Sequence, residues 1–218
     1  MNMKTLSVPM QNLSLFETDS DKLKVILEGG VEAKIDQVNW EGEFPKIIPV
    51  SIYAAHDNDK LYLYYTIVGE QLRAANTEDF SSVWQDSCVE FFMQRDGETA
   101  YRNFECNVLG ALLSRKNESR NSGVPQNAEV MSSISRYSTI KHRYENGVQV
   151  SDWTVFLEIP KKALGFDENE KLSGQKIRAN FYKCGDETPE PHYLSWSPID
   201  LPSPNFHVPQ FFGLLELE

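Results

Sequence analysis

A period of two runs through this sequence and limits what it can fold into. From Leu61, the side chains of Leu61, Leu63, Tyr65 and Ile67 fall on one face. Tyr62, Tyr64, Thr66 and Val68 fall on the other. An extended strand sends successive side chains to opposite sides, whereas a helix returns them every three or four residues. Two rather apolar faces suit a central strand. The same period recurs at 87–94 (Ser87, Val89, Phe91, Met93) and at 101–109 (Phe104, Cys106, Val108). It recurs again at Trp153, Val155, Leu157 and Ile159, at Ile177, Ala179 and Phe181, and at Phe211, Gly213, Leu215 and Leu217. Residues 48–54 and 130–145 are predicted to add further strands. Helix signals are few. Lys161–Leu164, after Pro160 and ended by Gly165, predicts one short helical turn. Long alternating segments separated by turn signals predict an all-β fold, an antiparallel β-sandwich.

The 218 residues are enough for one good core, so a single domain is expected over 1–218, with 1–35 as a peripheral N-terminal segment. There is no internal repeat. Residues 111–129 are polar and read as an exposed loop. The segment 189–209 holds six of the eleven prolines. Proline has no ladder donor, so this stretch reads as a rigid loop with a short strand at Tyr193–Trp196. Cys88, Cys106 and Cys184 show no zinc-site spacing. They read as reduced buried thiols, with a Cys88–Cys106 bridge as the alternative if their strands are neighbours.

Charge excludes some partners. With 32 acidic and 21 basic side chains the formal net charge is −11. Nucleic-acid backbones and anionic membrane surfaces both call for a basic patch, so neither is expected. No apolar run reaches the roughly 18 residues needed to span a bilayer. The N-terminus has no apolar core of a signal peptide, which fits a cytoplasmic protein or one whose leader has been removed.

The alternation places Glu90, Asn103, Glu105, Asn107, Arg178, Asn180 and Tyr182 together on the face away from the core. Carboxylates, amides and guanidinium are planar groups that can bond two adjacent atoms at once. Adjacent hydroxyls on a sugar ring offer matching donors and acceptors. An ordinary polar face with cross-strand Glu–Arg pairing is the competing account. Two aromatics sharpen the case: Trp84 lies among polar residues just before the Glu90 strand, and Phe206 lies in the proline-rich loop. A flat ring is an amphipathic platform on which the C–H face of a pyranose can stack. Trp40, Trp153 and Trp196 are expected in the core. His207, beside Phe206, is within reach of the same ligand, or else is a solvated loop histidine.

The run Trp84-Gln-Asp-Ser-Cys-Val-Glu90-Phe-Phe, followed by Phe104-Glu-Cys-Asn-Val-Leu-Gly110, resembles the central motif of carbohydrate-binding module family 9. Trp153-Thr-Val-Phe-Leu-Glu-Ile-Pro160, Ile177-Arg-Ala-Asn-Phe-Tyr182, Ser195-Trp-Ser-Pro198 and Phe206-His-Val-Pro-Gln-Phe-Phe-Gly213 are similar to its later signals, in the same order. The match runs from about Asp36 to the end. The resemblance implies a jelly-roll β-sandwich that binds the ends of β-linked glucan or xylan chains without cleaving them, in the service of a glycoside hydrolase. It implies that Trp84 and Phe206 clamp the sugar and that Glu90 and Asn180 bond its hydroxyls. Tyr182 falls where a second polar partner stands. Glu105 replaces the family's arginine and reverses its charge, and Phe206 replaces a second tryptophan. Structural calcium at loops is also implied. The Asp57-Asn58-Asp59 turn offers oxygens for it, unless these are simply solvated acids.

Two other functions compete. Glu90 and Glu105 on one face match the carboxyl pair of a glycoside hydrolase. A haem-binding redox domain of the related sandwich fold needs axial Met and His ligands. His56, His142, His192 and His207 lie mostly in predicted loops and Met93 is predicted inward, so no axial pair stands out.

Overall fold

The computed structural model describes residues 3–218. Among these residues, fourteen strands form two packed sheets. They are β1 (Thr5–Val8), β2 (Val31–Lys34), β3 (Gln37–Val38), β4 (Val50–His56), β5 (Lys60–Glu70), β6 (Cys88–Arg95) and β7 (Tyr101–Asn107). The rest are β8 (Leu112–Asn117), β9 (Val124–Pro125), β10 (Ser135–Glu145), β11 (Val148–Pro160), β12 (Lys176–Cys184), β13 (Tyr193–Ser195) and β14 (Gly213–Leu217). The larger sheet runs β1-β14-β12-β6-β7-β8-β9, with β13 and β3 attached beside β12. The smaller runs β10-β11-β5-β4-β2. Pairing is antiparallel except between β1 and β14. Successive groups of strands alternate between the sheets, which makes the expected jelly-roll β-sandwich.

The residues predicted inward form the core between the sheets: Leu61, Leu63, Tyr65, Val89, Phe91, Phe104, Cys106, Trp153, Val155, Ile177 and Phe181 are all buried there. Phe181, Phe91 and Phe104 sit opposite one another on β12, β6 and β7. Their rings stack at 5.3 and 5.9 Å, locking the register of the three central strands. The core also holds an ion pair. Lys183 donates to Glu70 at 2.9 Å and to the carbonyl of Cys184 at 2.7 Å, and its Nζ lies 2.7 Å from Nε2 of His192. The Trp153 indole N–H donates to the other Glu70 oxygen at 2.7 Å. This cluster ties β12 of one sheet to β5 and β11 of the other.

Some expectations change. The described part of this N-terminal segment, residues 3–35, is built into the sandwich rather than laid beside it. Leu6 and Val8 of β1 enter the core. A helix α1 (Asp19–Gly29), capped by the Thr18 hydroxyl accepting from Asp21 N–H, packs Ile26 against Ala55, Tyr62 and Phe156 on the outer face of the smaller sheet. Lys161–Leu164 is a hydrogen-bonded turn rather than a helix, and Gly165 leaves it with φ +87°. Residues 111–129 are not all loop: β8 and β9 lie within them, and the short helix α2 (Ala128–Ser133) starts there and takes the first residues of the strand expected over 130–145. Phe211 sits in a turn, not a strand. All three cysteines are buried and free. Cys88 faces the outer side and Cys106 the inner core, so a bridge between them is ruled out by direction. Cys88 instead stands opposite Cys184.

The outer face of the larger sheet is also covered. Loops carrying Trp40, Ile199, Phe206, Val208 and Phe212 fold down over Phe92, Tyr101, Leu113 and Tyr182 and form a second apolar cluster. The Trp40 indole N–H, donating to Leu201 O at 2.8 Å, holds that cover in place.

Candidate functional site

The cover is incomplete. Over β6, β7 and β8 it leaves a hollow of about 410 Å³ lined by Trp84, Glu90, Glu105, Arg115, Asp186, Tyr193 and Phe206, among others. That size is within the range of small-ligand sites.

The floor follows from register. Glu90 on β6 stands directly opposite Glu105 on β7. Both are buried, at 3% and 4% exposure, so neither is a solvated surface acid. Burial, with Glu105 alongside, pushes the Glu90 carboxyl well above the carboxylate range. Burial likewise raises Glu105, to about 7, against the opposing pull of a hydrogen bond from Asn103 and the charge of Arg115. Asn103 donates to Glu105 at 2.7 Å, and its oxygen accepts from the Arg115 backbone and the Asn117 amide. The floor thus presents carboxyl groups that can donate or accept.

The Trp84 wall is set by the Asp86 that follows it. Asp86 is fully buried, paired with Arg73, and accepts from the backbones of Ala75 and Asn76 and the Asn107 amide. These bonds fix the turn Val83–Gln85, and the backbones of Asp186 and Glu187 donate to its carbonyls. Trp84 is left half-buried at the rim. Burial pushes Asp186, beside it, up to about 6. Phe206, which also lines the hollow, stacks face to face on Tyr182, with centroids 4.0 Å apart and planes 7° from parallel. Phe206 keeps only 8% of its surface exposed, whereas the adjoining Tyr193 ring is half-buried. His207 donates or accepts at the Tyr101 hydroxyl at 2.8 Å. Burial and the charges of Arg120 and Arg115 push its pKa down to about 4, so it is neutral.

Of the residues singled out in the sequence, Trp84, Glu90, Asn103, Glu105, Phe206 and His207 share this hollow. Arg178, Asn180 and Tyr182 are on the same sheet face but do not line it. Asn180 is fully buried: its amide donates to Ser197 O and its oxygen accepts from Ser197 N–H and Phe181 N–H. Tyr182 lies beneath Phe206 and donates to the Phe206 carbonyl. Arg178 donates to Pro209 O at 2.6 Å, beyond the hollow. Each secures the loop cover instead. The sequence reading missed Arg115, Asn117, Arg120, Asp186 and Tyr193. For β8 a signal existed, because Ala111, Leu113, Arg115 and Asn117 alternate with Leu112 and Ser114.

Two sets of groups bear on metals. In the Asp57-Asn58-Asp59 turn, Asp57 accepts from Asp59 N–H, Lys60 N–H and the Tyr62 hydroxyl. Asn58 accepts from Ser173 N–H, and Asp59 pairs with Lys161. These oxygens already have protein donors. Cys88, Glu90 and Cys184 bring their ligand atoms within 4.8 Å of one another. Burial raises the Cys88 thiol to about 11 and Cys184 further, and the Cys184 thiol donates to Glu90 at 3.0 Å. The triad is protonated rather than a ready ligand set.

A family model described as carbohydrate-binding family 9 matches residues 24–217. The chain belongs to carbohydrate-binding family 9. Among solved structures, the chain is similar to one described as a putative carbohydrate-binding protein from Bacteroides uniformis ATCC 8492. The two are 34% identical, each covers 100% of the other, and the TM-score is 0.88. A family 9 module from Caldicellulosiruptor kristjanssonii in complex with glucose is 12% identical over 99% of this chain and 96% of that one, with a TM-score of 0.57. A family 9 module from the same organism in complex with cellotriose is 11% identical over 99% of this chain and 94% of that one, also at 0.57. Those two likenesses speak for the fold alone. No curated protein matches the sequence.

Proposed function

We propose that the hollow binds a terminal sugar or short oligosaccharide of a plant-type glycan and does not cleave it. The observation that carries this reading is that three aromatic rings, Trp84, Tyr193 and Phe206, line the same hollow as Glu90, Asn103 and Glu105. The rings offer stacking platforms, and the carboxyl and amide groups offer paired donors and acceptors to adjacent hydroxyls. Family membership supports the same reading, as do structures of relatives holding glucose and cellotriose. Glu90 and Glu105 stand side by side on one floor, whereas an acid and base that cleave a glycosidic bond flank it. The site therefore serves to bring a separate glycoside hydrolase to its polysaccharide, xylan or cellulose being the first to test. His207 is the only histidine at the hollow among the described residues and Met93 lies in the core, an arrangement that does not offer a haem its axial pair.

A glycan array on the purified chain identifies ligands. Trp84→Ala is expected to lower affinity for the best of them at least about tenfold while the thermal midpoint holds. Unchanged affinity would refute the placement. Reducing-sugar release that Glu90→Gln abolishes would replace binding by hydrolysis.

A further inference from the structure

The chain has eight arginines and a surplus of carboxylates. Arg73, Arg95, Arg102, Arg136 and Arg143 each pair with a carboxylate. Arg178 is held by the Pro209 carbonyl and Gln94. Arg115 and Arg120 are the two that remain. Among the described residues neither guanidinium makes an ion pair or a hydrogen bond, and both line the hollow. The Nε of Arg115 is buried without any partner. Removing such a donor from water with nothing to receive its proton is unfavourable unless something else supplies the acceptor.

Resting on the proposed carbohydrate reading, we infer that the hollow is built for an acidic sugar, a hexuronate, whose carboxylate is received by Arg115 and Arg120 while its ring hydroxyls meet Glu90, Glu105 and Asp186. The arrangement across the sheet carries this. Glu90 is on β6, Glu105 on β7 and Arg115 on β8, with Arg120 in the loop that follows. Two strand spacings, roughly 10 Å, separate β6 from β8. A pyranose with a carboxylate at one edge and hydroxyls at the others spans such a distance. A guanidinium offers parallel N–H donors that match a carboxylate, which a neutral hydroxymethyl group cannot use. The floor does not cancel this wall. Glu105 is received by Asn103 rather than by Arg115. Burial also keeps both floor carboxyls largely uncharged below neutral pH, so they do not repel an incoming anion. The neutral amides of Asn117, Asn121 and Asn205 also line the hollow.

Isothermal titration of the full chain at low salt, with galacturonic and glucuronic acids, their neutral counterparts galactose and glucose, and galactose 6-sulfate, tests the inference. Each uronate is expected to bind about tenfold or more tightly than its neutral counterpart. The Arg115→Gln/Arg120→Gln double variant should remove that preference and leave the neutral sugars within about twofold. Should the double variant fold poorly, Arg120→Gln alone, on an exposed loop, should still reduce the preference. A 6-sulfate bound as tightly as the uronates supports an anion-receiving wall that reads charge. Equal affinity for acidic and neutral sugars, or a double variant that weakens both alike, overturns the inference and leaves carbohydrate binding intact. Failure of every array glycan and every one of these sugars to bind the folded chain overturns the broader reading as well.

Discussion

Two of the buried polar clusters are finished to different degrees. Around Lys183 every group has its partner. The ammonium meets Glu70, His192 and a carbonyl, both Glu70 oxygens are received, and Nδ1 of His192 meets the Glu190 carbonyl. Around Glu90 the set is partial. Glu90 accepts from one thiol, Glu105 accepts from one amide, and Nε of Arg115 meets nothing. Buried polar groups are strongly driven to pair. A completed cluster therefore acts as a joint between sheets, and an incomplete one at an open hollow is matched to a ligand.

Removing one member of the joint should have the largest effect on stability. Lys183→Met leaves Glu70 buried without its counter-charge, and the cost is expected at about 3–5 kcal/mol. Chemical denaturation measures it. Lys183→Met combined with Glu70→Leu should recover much of the loss, because two apolar side chains leave no stranded charge. Sugar affinity of the folded fraction should stay at the wild-type level. If the single variant were as stable as the wild type, the two clusters would not differ in the way described.

The clusters should also answer pH with opposite signs. The folded-state pKa of Glu105 is raised to about 7, by burial first, with Asn103 and Arg115 pulling the other way and Asp186 adding to the rise; Glu90 stands opposite. Its contribution to stability is fully present below the unfolded value near 4.5 and is lost as pH rises through about 7. Glu105→Gln is thus expected to gain about 2–3 kcal/mol relative to wild type between pH 4.5 and 8. His192 is lowered to about 2, by burial first and then by the Lys183 charge, with Lys46 adding to the drop and Glu70 close by. Its contribution is present above the unfolded value near 6.5 and is lost as pH falls below it. His192→Gln should reduce that acid loss by about 2 kcal/mol between pH 7 and 5. Paired unfolding curves at each pH separate the two, and slopes of the same sign would contradict the comparison.

How far these regions could be read in the sequence follows from their physics. The inward face was legible because burial between sheets demands apolar residues at every second position, and Val89, Phe91, Phe104 and Phe181 obey it. Glu90 and Glu105 were legible as their outward neighbours. Which outward residues remain open to a ligand was not, because that depends on where distant loops settle. Phe206 descends onto Tyr182, and Ser197 closes over Asn180. Residues 111–129 misled because arginine, asparagine and serine look alike in a solvated loop and in a strand that floors a polar hollow. The ion pair gave no local sign, since Glu70 and Lys183 are brought together only by the packing of the two sheets.

Asn180 tests that lesson at a smaller scale. It satisfies both backbone groups of Ser197. Asn180→Ala should orphan the Ser197 N–H, while the carbonyl keeps the Ser195 hydroxyl, and cost about 2 kcal/mol, with sugar affinity held once the protein is folded. A fall in affinity at unchanged stability would return Asn180 to the site, and the comparison between structural and open polar groups would then have to be redrawn.

Arg178 should give the smallest effect. It shares a strand and a face with Asn180 and Tyr182, yet its guanidinium ends at the Pro209 carbonyl, in the segment that follows Phe206 and His207. Arg178→Gln removes a short hydrogen bond to the Pro209 carbonyl and a long one to Gln94 from a half-buried donor, and the acceptors left behind can still find water. The expected loss is about 0.5–1 kcal/mol, a shift of a few degrees in thermal midpoint for a domain of this size. Affinity for both neutral and acidic sugars should match the wild type, in contrast to Arg115, which is also an outward arginine but on β8. Two guanidiniums on one face of one sheet are thereby separated by what already occupies them. Arg178 has its acceptor from the chain, and only an arginine without one can contribute selectivity to the hollow.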